Sequence, residues 1–159
     1  GVGSNAGSSF DELNEDRKCN SDYQKVEFFS FNAGSKLIRD PIDEYAPGKT
    51  NKDKFANLKA QETWAFADRV KNTYLAITEG EQFDEDQLIS FDSESIDPQT
   101  LEEFISEMSR ILRDTDNNGK DKVESKKDLA KRGIPSPNLF DGGVMAFAPV
   151  ESNPYDDLW

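Results

Sequence analysis

Asp141 lies in a run that is otherwise uncharged, Ser136-Pro-Asn-Leu-Phe-Asp-Gly-Gly-Val-Met-Ala-Phe-Ala-Pro149. Most of the chain's 32 acidic residues lie in polar surroundings and need no explanation. This one does. Ser136 is a good N-cap and Pro137 suits the first helical position, so the spacing predicts a helix starting here. Its apolar stripe is Phe140, Val144 and Phe147, with Asp141 one helical step from Phe140. An ionised carboxylate against a core is costly unless a cation pairs with it, and a divalent metal is one such cation. Gly142 and Gly143 weaken a helix by about 1 kcal/mol each relative to Ala. They make more sense if another backbone or a ligand must come close. A plainer account stands beside this one: an Asp in the first turns of a helix is favoured by the macrodipole alone. The pattern leaves both open.

Composition narrows the chemistry. The 159 residues include no histidine and carry a net charge of −13. Histidine triads and histidine metal sites are therefore excluded, leaving carboxylates, Lys, Ser/Thr and a single cysteine. Cys19 has no partner within the chain, so an intrachain disulfide is excluded; its setting, Arg17-Lys-Cys-Asn20, reads as a polar loop without an activating base. Strong acidity argues against non-specific nucleic-acid binding by the surface as a whole, but not against a local basic patch. Lys120, Lys122, Lys126, Lys127, Lys131 and Arg132 outnumber the acids between them, Asp121, Glu124 and Asp128. That stretch is the best candidate for contact with a polyanion; a solvated face with local ion pairs is the competing account. Asp114-Thr-Asp-Asn-Asn-Gly119 imitates the start of a calcium loop, but the twelfth position is Ser125 and Glu124 stands one residue early. A turn rich in Asp, Asn and Gly is the better reading. No run reaches the roughly 18 apolar residues that a membrane span requires, and no secretory signal is visible.

The elements that must position these groups are legible in outline. A glycine-rich start, residues 1–9, leads into a short amphipathic stretch at Phe10 and Leu13 and lacks the spacing and Lys of a phosphate-binding loop. Residues 26–31 read as a buried strand. The longest helical signal spans residues 55–79, with Leu58, Phe66, Val70, Tyr74 and Ile77 at helical spacing and Gly80 as its stop. Residues 88–91 suit a short strand or an anchored loop. Asp97-Pro98 opens a second helix with an apolar face of Leu101, Phe104, Ile105, Met108, Ile111 and Leu112. Residues 120–126 suit an edge strand, and residues 126–132 a helical turn closed by Gly133. Helices interleaved with strand-forming runs indicate an α/β or α+β layered fold. Residues 1–149 form one domain and residues 150–159 an acidic tail.

The order of these segments resembles the C-terminal nuclease domain of tailed-phage terminase large subunits. The resembling residues are Gly1-Val-Gly3, then Phe31-Asn-Ala-Gly34, then Phe55-Ala-Asn-Leu-Lys-Ala-Gln-Glu-Thr-Trp64. Val123-Glu-Ser-Lys-Lys-Asp-Leu-Ala-Lys-Arg-Gly133 and the segment beginning Ser136-Pro-Asn-Leu-Phe-Asp141 complete the series. The resemblance implies an RNase H-like α/β nuclease fold, incomplete at its N-terminus, whose acidic cluster holds two Mg²⁺ or Mn²⁺ ions. Asp141 matches the last acid of that cluster and is the expected catalytic metal ligand; the family's other acids find no counterpart, one falling just before Gly1. Gly142-Gly143 departs from the usual Ala-rich continuation. Lys126, Lys127, Lys131 and Arg132 are the expected phosphate contacts. The implied partners are double-stranded DNA, a portal protein and a small terminase subunit, with no membrane, in the host cytoplasm. On this expectation the 159-residue chain is inactive by itself, since one carboxylate does not hold two hard cations. A reading from another class is a non-enzymatic acidic interaction module that docks through its tail.

Overall fold

Residues 9, 12–15, 17–18, 31–36 and 39–148 are described in this computed structural model of the chain. The elements run β1 (Glu44–Ala46), β2 (Lys49–Thr50), α1 (Asn51–Lys54), α2 (Leu58–Glu79), a 3₁₀ turn (Glu85–Gln87) and α3 (Pro98–Arg110). After these come β3 (Arg113–Thr115), β4 (Asp121–Val123), α4 (Lys126–Lys131) and α5 (Asn138–Phe147). They lie in the unit Asn32–Pro149, and the chain ends Gly1–Phe31 and Val150–Trp159 form a second unit. Of that second unit, residues 12–15 are helical. The expected strand at 26–31, apart from Phe31, and Cys19 and the acidic tail, lie outside the described residues.

The helices α1, α2, α3 and α4 each start where their own sequence supplies a capping side chain. The Asn57 side chain accepts the Ala60 N–H and begins α2, and Gly80, at φ +71°, ends it in the left-handed conformation that glycine adopts without strain. Asp97 caps α3 through the Thr100 N–H with Pro98 in the first turn, as the sequence predicts. Residues 55–57 stay outside α2: Phe55 bridges to Asp121 in β4, and the Ala56 N–H donates to the Asp121 carbonyl at 2.9 Å. Residues 88–91 form an anchored loop, where Ile89 exchanges two hydrogen bonds with the Thr73 hydroxyl, at 2.9 and 3.2 Å.

The Phe66, Ile89, Phe140 and Val144 side chains are buried together, with Val70, Phe104, Met108, Ile111 and Phe147 packed around them. Phe66 of α2 meets Phe140 and Phe147 of α5 edge-on, at 5.7 and 5.8 Å between ring centres, and Phe104 of α3 at 6.3 Å. This three-helix contact seats the start of α5. Among the described residues the strands form two small antiparallel hairpins, β1–β2 and β3–β4. In the second, Arg113 faces Val123, Asp114 faces Lys122 and Thr115 faces Asp121. β3 carries no apolar alternation, which is why its residues read as the end of a helix and a turn.

Candidate metal centre

Asp141 stands in the first turn of α5. The helix starts one residue later than expected: Pro137 takes the cap position, α5 begins at Asn138, and the Ser136 hydroxyl bonds the Asn138 side chain at 2.9 Å instead of capping. The cap comes from another helix. Glu107 of α3 accepts the Phe140 N–H on Oε2 at 2.8 Å, fixing the turn that carries Asp141. Gly143 is a close-approach position, since a Cβ there would lie 2.8 Å from the Phe104 ring; at Gly142 a Cβ would meet nothing within 4 Å. Of the two glycines, only one answers to packing.

Two ammonium groups face the Asp141 carboxylate. Lys59 Nζ, from the first turn of α2, lies 2.6 Å from Oδ1, and Lys126 Nζ, from the first residue of α4, lies 3.4 Å from Oδ2. The carboxylate and Lys59 are mostly enclosed, with side chains 20% and 23% exposed, whereas Lys126 is 60% exposed. α4 presents Lys126 because Ser125 caps it, its hydroxyl accepting the Asp128 N–H at 3.2 Å. Hydrogen bonds from Lys131 and Ser125 hold the Asp128 carboxyl down to about 2.

The strand that leads into α4 is itself pinned. Asp121, 1% exposed, takes Lys54 Nζ on Oδ2 at 2.6 Å and the Arg113 guanidinium on Oδ1 at 2.6 and 2.9 Å. The Lys54 ammonium also lies over the Tyr45, Phe55 and Trp64 rings, at 4.6, 5.5 and 5.9 Å.

The other expected phosphate contacts are spread along α4 and just beyond it. Lys127 is exposed. Lys131 pairs with Asp128 at 2.6 Å. Arg132 reaches the buried Glu124 carboxylate and donates to the Arg110 carbonyl at 3.1 Å, so it also ties the end of α3 to α4. The calcium-like segment is the β3–β4 turn. Asp116 accepts the Asn118 and Lys120 N–H groups at 2.8 and 2.9 Å, and Asp114 pairs with Lys122 at 2.9 Å. Its oxygens are spent on the turn.

Asp141 suits one place in a hard-cation site: an oxygen donor whose two oxygens already face positive charge. Among the described residues, no group of three or more His, Cys, Asp or Glu side chains could hold a metal ion. Lys59, Glu107 and the Asp121 cluster were not singled out in the sequence. Lys59 did leave a signal: a lysine in the first turn of a helix opposes the macrodipole and needs a reason.

Solved structures similar to this chain carry the same theme. The nuclease domain of the large terminase subunit gp2 of bacterial virus Sf6 matches with a TM-score of 0.70 and 37% identity, covering 76% of this chain and 53% of that one. A lysine-to-alanine mutant of that domain with manganese matches at 0.68 and 36%, covering 75% and 52%. The mutant with calcium matches at 0.68 and 36%, with the same coverage of 75% and 52%. This chain spans about half the length of the structures it matches. No family model and no curated protein matches it. In fold, and at more than a third of aligned positions, the chain resembles the nuclease domain of a bacteriophage terminase large subunit, the family to which its motifs pointed.

Proposed function

We propose that this chain is part of a metal-dependent endonuclease with an RNase H-like fold, which cuts concatemeric double-stranded DNA while a viral packaging motor fills a head. The observation that carries this reading is Asp141 itself: an enclosed carboxylate fixed by Glu107 at the start of α5, with both oxygens facing cations. Similarity to a terminase nuclease domain, and the manganese and calcium named with two of its structures, support the same chemistry.

Asp141 would hold Mg²⁺ or Mn²⁺ with acids and waters from outside the described residues. Ions so bound activate water and stabilise the leaving oxygen of a phosphodiester. Lys126 and Lys127 would meet the phosphate, a reading supported by the exposure of both and by the loose 3.4 Å hold of Lys126 on Asp141. Lys131 and Arg132 extend the basic face, each already sharing an ion pair. DNA, a portal protein and a small terminase subunit are the partners of this reading, and the host cytoplasm its setting. The 159-residue chain by itself is expected to cleave little, since the described residues contribute one ligand.

The test is Asp141→Asn in the intact nuclease. The fold should survive, because the amide keeps the shape, while Mn²⁺-dependent plasmid cleavage should fall by about 100-fold or more, at least the loss seen when a ligand's supporting partner is removed. Unchanged cleavage would take Asp141 out of the mechanism.

A further inference from the structure

Lys59 has no role in the proposed chemistry, yet it makes the shorter of the two contacts to Asp141, 2.6 Å against 3.4 Å. It occupies the first turn of α2, which contains no acid to offset its charge, so its placement there is unfavourable until Asp141 is considered. Its backbone N–H is fixed to the Ala33 carbonyl at 3.2 Å, and its side chain is 23% exposed. Lys126, at 60% exposure, can turn into water when another cation takes its oxygen. Lys59 has far less room to do so.

Two ammonium groups facing one carboxylate leave the spot with a net positive charge. A doubly charged ion on that carboxylate would lie within a few ångströms of Lys59, and like charges at that range in a partly enclosed site repel strongly. The ion and the Lys59 ammonium therefore compete for the same oxygen or oppose each other across it.

Resting on the nuclease reading, we propose that Lys59 is a positioning residue that acts as the built-in counter-ion of Asp141. It holds the carboxylate in place when no divalent ion is bound, and it lowers the affinity of the carboxylate for such an ion. A strap with a purely structural role would behave in the opposite way: removing it would loosen the carboxylate and weaken ion binding.

The sign of the effect is the test. The intact nuclease, which supplies the other metal donors, is titrated with Mn²⁺, and paramagnetic broadening of the backbone amide signals of residues 138–142 is followed by NMR. Lys59→Gln is expected to reach half-broadening at an Mn²⁺ concentration about three- to tenfold lower than the unsubstituted chain. Lys59→Met, which also removes the charge, should shift the same way, and Lys59→Arg, which keeps it, should stay within about twofold of the original. Unchanged or weaker Mn²⁺ binding in both neutral variants, with their folds intact by amide dispersion, overturns the proposal. So does Lys59→Arg behaving like Lys59→Gln. Asp141→Asn separates the two levels of the argument. If it abolishes the broadening while the Lys59 variants change nothing, only the Lys59 assignment fails. If broadening persists in Asp141→Asn, or is absent around Asp141 in the unsubstituted chain, the metal reading fails and this one with it.

Discussion

Asp121 shows how much a single enclosed charge depends on its partners. Burial pushes its carboxyl up, but hydrogen bonds from Lys54 and Arg113 outweigh that and leave it below the usual carboxylate range. Asp121→Asn keeps the size but strands the Lys54 ammonium, itself 13% exposed, among aromatic rings. Breaking a buried pair costs about 3–5 kcal/mol, and the low end applies because Arg113 remains 65% exposed. Thermal denaturation of Asp121→Asn should therefore show a midpoint roughly 6–12 °C lower. An unchanged midpoint would mean the cluster adds nothing net. Asp141 was legible in the sequence because one charge in an uncharged run is visible locally. Lys59 and Lys54 were not, because their acidic partners lie 82 and 67 residues away along the chain. A spacing rule sees neighbours, and these pairs exist only after the helices have packed.

Elements were read well where their signals are local and poorly where another element supplies them. The Gly80 stop, the Asp97-Pro98 start and the Gly133 close all stand where the sequence puts them. The start of α5 did not follow Ser136, since Glu107 of α3 caps it from outside, an arrangement that no one-helix pattern contains. β3 was missed because its three residues, Arg113–Thr115, are polar and are held by pairing with β4 rather than by a buried face. The paired glycines give the sharpest test at this level. Gly143→Ala would put a methyl 2.8 Å from the Phe104 ring and should destabilise the fold by about 1–3 kcal/mol. Gly142→Ala meets open space on an exposed helical position and should stabilise by about 0.5–1 kcal/mol. Urea denaturation of the two variants checks both signs at once. If both destabilise equally, the glycines serve a backbone conformation rather than the Phe104 contact.

At the scale of the whole molecule, the charge of −13 and the local ion pairs pull stability in opposite directions as pH falls. No helix among the described residues is long and apolar enough to cross a membrane. Protonating unpaired acids relieves self-repulsion and favours the compact state. The paired acids act the other way. Asp53, Asp92, Asp114 and Asp116 are held below their ordinary 3.8 chiefly by hydrogen bonds, and Asp128 is held down to about 2. A carboxyl whose pKa is lower in the folded state than in the unfolded one stabilises the fold above the unfolded value. That contribution is lost as pH falls through the folded value. The chain should therefore keep or gain stability from pH 7 toward about 4.5, then lose it steeply between about 4 and 2, the window set by 3.8 and the Asp128 value. Asp128→Ala should weaken the fold at neutral pH, through loss of the Ser125–Asp128 cap of α4, and should make the acid limb shallower. Urea midpoints measured across pH 2–7 for both proteins test this. A midpoint that goes on rising down to pH 2 would show that charge relief dominates and that the hydrogen-bonded carboxylates contribute little. A limb of the same steepness in Asp128→Ala would assign the acid sensitivity to groups other than the one that presents Lys126 to Asp141.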